Sequence, residues 1–198
     1  MPGFATLTVV ADSSAVVDSA PRRNVEKSAR LKWFGRASIG QGWVLRSDQE
    51  NALRLQGYDS PFTSYFGLDG AYFPWPRLGL GVWGVFSERD DSTDLLPEFE
   101  ETVLVGGVQV PVAIIDDPHV RILLDARLGV VTGRQQLHGA GEFVEAPAVG
   151  LDFGVVFPKA YFGLGAGMFS APVSPTGELG ADGNFGRGYF VLVAYIDG

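Results

Sequence analysis

Leu31-Lys32-Trp33-Phe34-Gly35-Arg36-Ala37-Ser38-Ile39-Gly40-Gln41-Gly42-Trp43-Val44-Leu45-Arg46 changes character at every step, and that period of two decides the fold. Leu31, Trp33, Gly35, Ala37, Ile39, Gln41, Trp43 and Leu45 share one face, while Lys32, Phe34, Arg36, Ser38, Gly40, Gly42, Val44 and Arg46 share the other. One face is apolar and the other holds every charge. The pattern is that of a long strand, and it returns along the chain. Residues 62–73 set Phe62, Phe66, Leu68 and Tyr72 against Thr63, Tyr65, Gly67 and Asp69. Residues 78–89 set Leu78, Leu80, Val82 and Phe86 against Gly79, Gly81, Trp83, Val85 and Arg89. In 120–134, Ile122, Leu124, Ala126, Leu128 and Val130 oppose Arg121, Leu123, Asp125, Arg127 and Val131, and in 147–157 Val149, Leu151, Phe153 and Val155 oppose Gly150, Asp152 and Gly154. Residues 160–170 continue the series. Residues 187–196 are apolar on both faces, which leaves their orientation open.

The segment 102–114 is ambiguous, because Gly106-Gly107 has the form of a hairpin turn and Pro111 cannot donate to a ladder. An internal repeat resolves it. Gly67-Leu68-Asp69 through Phe73-Pro74 to Leu78-Gly79-Leu80-Gly81 parallels Gly150-Leu151-Asp152 through Phe157-Pro158 to Phe162-Gly163-Leu164-Gly165. If both Phe-Pro turns lie at one end, an even number of strands separates them, so 102–114 and 120–134 count as two and the total is eight. Short turns then gather at one end and four longer loops, 47–61, 90–101, 135–146 and 171–186, at the other. Residues 1–28 read as an extended tail or linker and 29–198 as one barrel domain.

An up-and-down barrel is built alike whether its apolar face points inward or outward. Here the mid-strand charges Arg36, Asp69, Arg121, Asp125, Arg127 and Asp152 share their face with glycine and aromatic residues, a composition suited to a crowded lumen. Lysine is scarce, with Lys27, Lys32 and Lys159 alone in 198 residues. Trp33 and Trp43 stand on the apolar face at a separation of roughly 33 Å along a strand, or about 25 Å of height at a tilt of ~40°, the height of a membrane barrel's apolar band. With Tyr72 and Trp75 they compose a candidate aromatic girdle. The expectation is therefore an outward apolar face, with a soluble lipocalin-like barrel binding an apolar ligand through Trp33, Trp43, Phe66 and Leu80 as the alternative.

The two repeated segments resemble the descending strand, periplasmic turn and ascending strand of small bacterial outer-membrane β-barrel proteins, the eight-stranded outer membrane protein A and X type within the porin superfamily. The resemblance spans about residues 30–198 and departs from the family at Tyr195-Ile196-Asp197-Gly198, where such proteins typically end in an aromatic residue. It implies a closed antiparallel transmembrane β-barrel, monomeric, surrounded by outer-membrane lipid and presenting loops to ligands of unknown kind. Met1 to Ser28 lacks the charged start and apolar core of a signal peptide, so export would rest on a signal outside this sequence.

Little in the sequence suggests catalysis. A net charge of −8 with no basic stripe argues against nucleic acid, and the lack of cysteine removes thiolate chemistry and disulfides. No apolar run is long enough for a membrane helix. Gly79, Gly81 and Gly84 match a dinucleotide fingerprint as a string, yet lie inside an alternating strand with no helix to follow. A lipid-modifying enzyme would have only His138 with Glu142 or Glu145 to draw on, and the acidic run Asp90, Asp91, Asp94, Glu98, Glu100 and Glu101 lacks calcium-loop spacing. No catalytic, cofactor or metal residue is assigned. The expected role is envelope-structural or surface interaction, with Asp69, Asp125 and Asp152 pairing with Arg36 and Arg127 to close the lumen.

Overall fold

A computed structural model of the chain describes residues 30–45, 55, 62–93, 96–137, 140–173 and 183–198. The expected tail, 1–28, lies outside the described residues. Eight strands follow one another: β1 (Trp33–Val44), β2 (Phe62–Trp75), β3 (Leu78–Thr93), β4 (Leu96–Asp116), β5 (Arg121–Leu137), β6 (Ala140–Phe157), β7 (Phe162–Val173) and β8 (Gly183–Asp197). Each pairs antiparallel with the next. The ring closes where β8 meets β1, with Phe34 opposite Asp197 and Val44 opposite Arg187, so no strand is left at an edge.

The two Phe-Pro turns sit at the same end. In one, Arg77 takes a left-handed conformation (φ 69°) after Pro76; in the other, Pro158–Ala160 form a single 3-10 turn that ends at left-handed Tyr161 (φ 52°). Between β4 and β5 the Asp117 Oδ1 accepts from the His119 N–H at 2.8 Å, the side chain standing in for a backbone turn.

Gly106-Gly107 is not a turn. β4 runs straight through it as the longest strand, and the β3–β4 ladder passes from Gly81↔Gln109 to Leu78↔Val112, so Pro111 falls in a gap where no donor is required. The expected long loops at 90–101 and 135–146 are also corrected. β3 and β4 remain paired out to Thr93↔Leu96, and β5 and β6 out to Leu137↔Ala140. In these stretches charged or polar residues stand on both faces, as in Asp90-Asp91, Glu100-Glu101 and Gln135-Gln136, which breaks the alternation that marks a strand. Leu31 is a further correction: placed on the outward face by parity, it precedes the strand, is buried among the interior residues and donates its N–H to Asp116 Oδ2 at 3.2 Å.

The apolar faces point outward all the way round. Ile39, Leu68, Val82, Leu104, Leu128, Leu151, Leu164 and Phe190, one from each strand, are all more than half exposed. From Leu104 to Ile114 this belt spans roughly 33 Å of strand, about 25 Å of height when tilted, which matches the hydrocarbon band of a membrane barrel. Trp33, Phe66 and Leu80 face outward too, which excludes an inward apolar ligand cavity built from them. In β8 the inward set is Arg187, Tyr189, Val191, Val193 and Tyr195, and Phe190, Leu192 and Ile196 face out.

Candidate functional site

The interior is filled by side chains in three tiers along the barrel axis. In the middle tier Arg36, from β1, lies in the barrel's interior with its guanidinium spread over three carboxylates. Its Nε stands 2.7 Å from Asp69 Oδ1 on β2, Nη2 pairs with Asp125 Oδ2 on β5, and Nη1 stands 3.4 Å from Asp152 Oδ1 on β6. Arg127 on β5 adds contacts at 3.5 Å to Asp69, 3.9 Å to Asp125 and 3.6 Å to Asp152. Gln109 joins the two halves, donating from Nε2 to Asp69 Oδ1 at 3.3 Å and accepting from Arg127 Nε at 3.4 Å. Tyr189 receives a hydrogen bond from Arg127 Nη1 at 2.7 Å and donates to Asp152 Oδ2 at 2.8 Å. Charges withdrawn from water in this way are tolerated only when paired and hydrogen-bonded, and nearly every polar atom here is.

Glycine makes room for the tier. Asp152, Gly167 and Tyr189 lie in register on β6, β7 and β8, and a side chain at Gly167 would occupy the space of the Tyr189 phenol. The tyrosine lies flat against the wall and reaches the carboxylate two strands away. On the far wall, Trp83 lies over Gly107 and Gly129 and donates its indole N–H to the Val108 carbonyl at 3.1 Å. The Arg127 guanidinium stacks on that indole, 5.1 Å from its centroid, and Tyr65 stacks on Tyr189 at 4.2 Å.

Arg121 shares the inward face but not the height. It lies at the turn end, donating from Nε to Asp116 Oδ1 at 2.7 Å and from Nη1 to the Tyr195 hydroxyl at 3.2 Å, and it also pairs with Asp197. At the opposite end Arg187 pairs with Glu101, both buried, and Arg89, across the ladder from Glu101, stacks on Phe99. Neither outer tier was anticipated, and nor were Gln109, Tyr65 and Tyr189. Parity applied to Arg187, the one charge in the 187–196 segment, would have oriented β8 and located both tyrosines.

Of the girdle residues, Trp33, Tyr72 and Trp75 are exposed near the turn end, whereas Trp43 is half-buried across Gly188 against the Phe190 ring at 5.2 Å. Of the acidic run, Asp90 and Glu100 are exposed and face each other across the β3–β4 ladder while Glu101 is buried in the lumen; Asp94 and the side chains of Asp91 and Glu98 lie outside the described residues. Glu145 is exposed, and His138 and the Glu142 side chain lie outside the described residues. Gly79, Gly81 and Gly84 lie within β3, with Pro111 packed over Gly79.

No protein-family model matches the chain, and no curated protein does. Among solved structures, the chain is similar to Neisserial surface protein A (13% identity, TM-score 0.53, covering 82% of this chain and 96% of that one). It is also similar to Ail, the attachment invasion locus protein of Yersinia pestis, solved with the heparin analogue sucrose octasulfate (14% identity, TM-score 0.52, covering 83% and 99%). A structure of Ail in a phospholipid bilayer nanodisc, where it is described as an outer membrane protein, is 16% identical over 82% of this chain and 98% of that one, with a TM-score of 0.43. The likeness to the first two is one of fold, and with the outward apolar belt it identifies the architecture: a closed, eight-stranded, antiparallel up-and-down β-barrel of the bacterial outer-membrane type.

Proposed function

We propose that this chain is a monomeric, non-enzymatic outer-membrane barrel with a closed lumen, acting through a sheet that it raises above the membrane. The observation that carries this reading is the inequality of the strands. β3 to β6 run for 16, 21, 17 and 18 residues, against 12 for β1 and β7, 14 for β2 and 15 for β8. Pairing with β2 ends at Ser64↔Glu88 and pairing with β7 at Val149↔Ser170, so beyond those points β3 to β6 continue as a four-stranded sheet on one side of the mouth.

The exposed charged residues described there are Glu88, Asp90, Glu100 and Glu145 against Arg134. That surface is acidic and favours a cationic partner over a polysulfated one such as the heparin analogue bound to Ail. The test is binding of fluorescent oligolysine and of sucrose octasulfate to the detergent-folded protein. Salt-sensitive binding of oligolysine, weakened by Glu88→Gln with Asp90→Asn and Glu100→Gln, is expected. Binding of the octasulfate instead, or of neither, would sink the reading.

A further inference from the structure

The turn end of the barrel carries the opposite charge. Arg30 and Lys32 precede β1, Arg77 lies in the β2–β3 turn and Lys159 in the β6–β7 turn, and all four are exposed. Arg30 is tied to its neighbour, donating from Nη2 to the Pro74 carbonyl at 3.2 Å. Of the acids described at this end, Asp116 and Asp197 are paired with Arg121, which leaves Asp117 as the exposed one. The exposed aromatics Trp33, Tyr72, Trp75 and Tyr161 lie at the same level.

Arginine and lysine at the foot of an apolar belt, interleaved with interfacial aromatics, extend their charged heads to the plane where phosphates lie. We infer that this rim is an interface for anionic phospholipid headgroups, with Arg30, Lys32, Arg77 and Lys159 contacting their phosphates. Among the described residues the outer surface at the other mouth is acidic, so the turn end is the one complementary to an anionic leaflet. This rests on the transmembrane reading and goes beyond it by naming the lipid class and the end that selects it.

The full chain, refolded into vesicles of phosphatidylcholine mixed with phosphatidylglycerol, is released into mild detergent and its retained lipids are counted by native mass spectrometry. Several-fold enrichment of phosphatidylglycerol is expected, reduced by high salt and abolished in the variant carrying Arg30→Gln, Lys32→Gln, Arg77→Gln and Lys159→Gln. The variant with Glu88→Gln, Asp90→Asn and Glu100→Gln at the far rim keeps it. Should the fourfold variant not fold, the single changes Arg77→Gln and Lys159→Gln are expected each to lower the enrichment. Equal retention of both lipids by the wild type, or enrichment untouched by the substitutions, overturns the inference while leaving the barrel in place. Failure to form a heat-modifiable species in any vesicle overturns the transmembrane reading and the inference together.

Discussion

Arg36 and Asp125 differ in what their removal leaves behind. In a ring of eight strands β1 stands across from β5, so Arg36 ties its neighbour Asp69 to carboxylates on the opposite wall. Arg36→Ala leaves three buried carboxylates with Arg127 as the cation still paired with them, and removing one partner of a buried ionic network costs about 3–5 kcal/mol. Urea titration of the vesicle-embedded protein, followed by gel mobility, measures this; a loss below about 1 kcal/mol, the range of a solvated pair, would show that the tier is not withdrawn from water. Asp125 faces Asp152 directly across β5–β6, and its Oδ1 has no hydrogen-bond partner among the described residues. Asp125→Asn relieves a like-charge contact and keeps an acceptor for Arg36, so its cost is expected to stay under about 1 kcal/mol. Equal losses for the two variants would refute this ranking. The charges themselves were legible because parity against an apolar face fixes which wall they point from. Their height was less so: Arg121 shares the face of Asp125 and Arg127 but, as the first residue of β5, belongs to another tier.

At the level of the strand, alternation is visible only where one face meets lipid and the other the lumen. That is why β1, β2 and the lower parts of β3 and β5 could be read directly, and why the upper parts of β3 to β6 passed for loops. The projecting sheet adds length to four strands without adding to the barrel's circumference. Replacing residues 92–98 by a two-residue Asn-Gly turn joins Asp91 to Phe99, which already face each other across the ladder. The shortened protein is expected to remain heat-modifiable, with an unfolding free energy within about 0.5 kcal/mol of the parent, as for surface changes remote from the core. A loss of several kcal/mol in the same urea titration would mean that the projection is part of the folding unit instead of a platform on it.

For the whole molecule, the side chains that cross the axis bear on conduction. The lumen is crossed by Arg36 and Arg127 and packed by Trp83, Tyr65, Tyr189 and Phe169, so the wild-type protein in a planar bilayer is expected to conduct no ions. Outward orientation followed from the sequence because glycine and aromatic residues shared a face with the charges; which of those side chains meet across the axis needed the register of all eight strands. The double variant Arg36→Ala with Arg127→Ala removes both cross-pieces and leaves Asp69, Asp125 and Asp152 lining the constriction. Any conductance it gains is therefore expected to be cation-selective, read from the sign of the reversal potential in a potassium chloride gradient, since a ring of carboxylates lowers the barrier for cations. A conducting wild type would overturn the closed lumen. A silent double variant that still folds would move the seal from the ion pairs to the aromatic packing around them, and an anion-selective one would show that Arg121 or Arg187, at the two ends, sets the field along the path instead of the carboxylates between them.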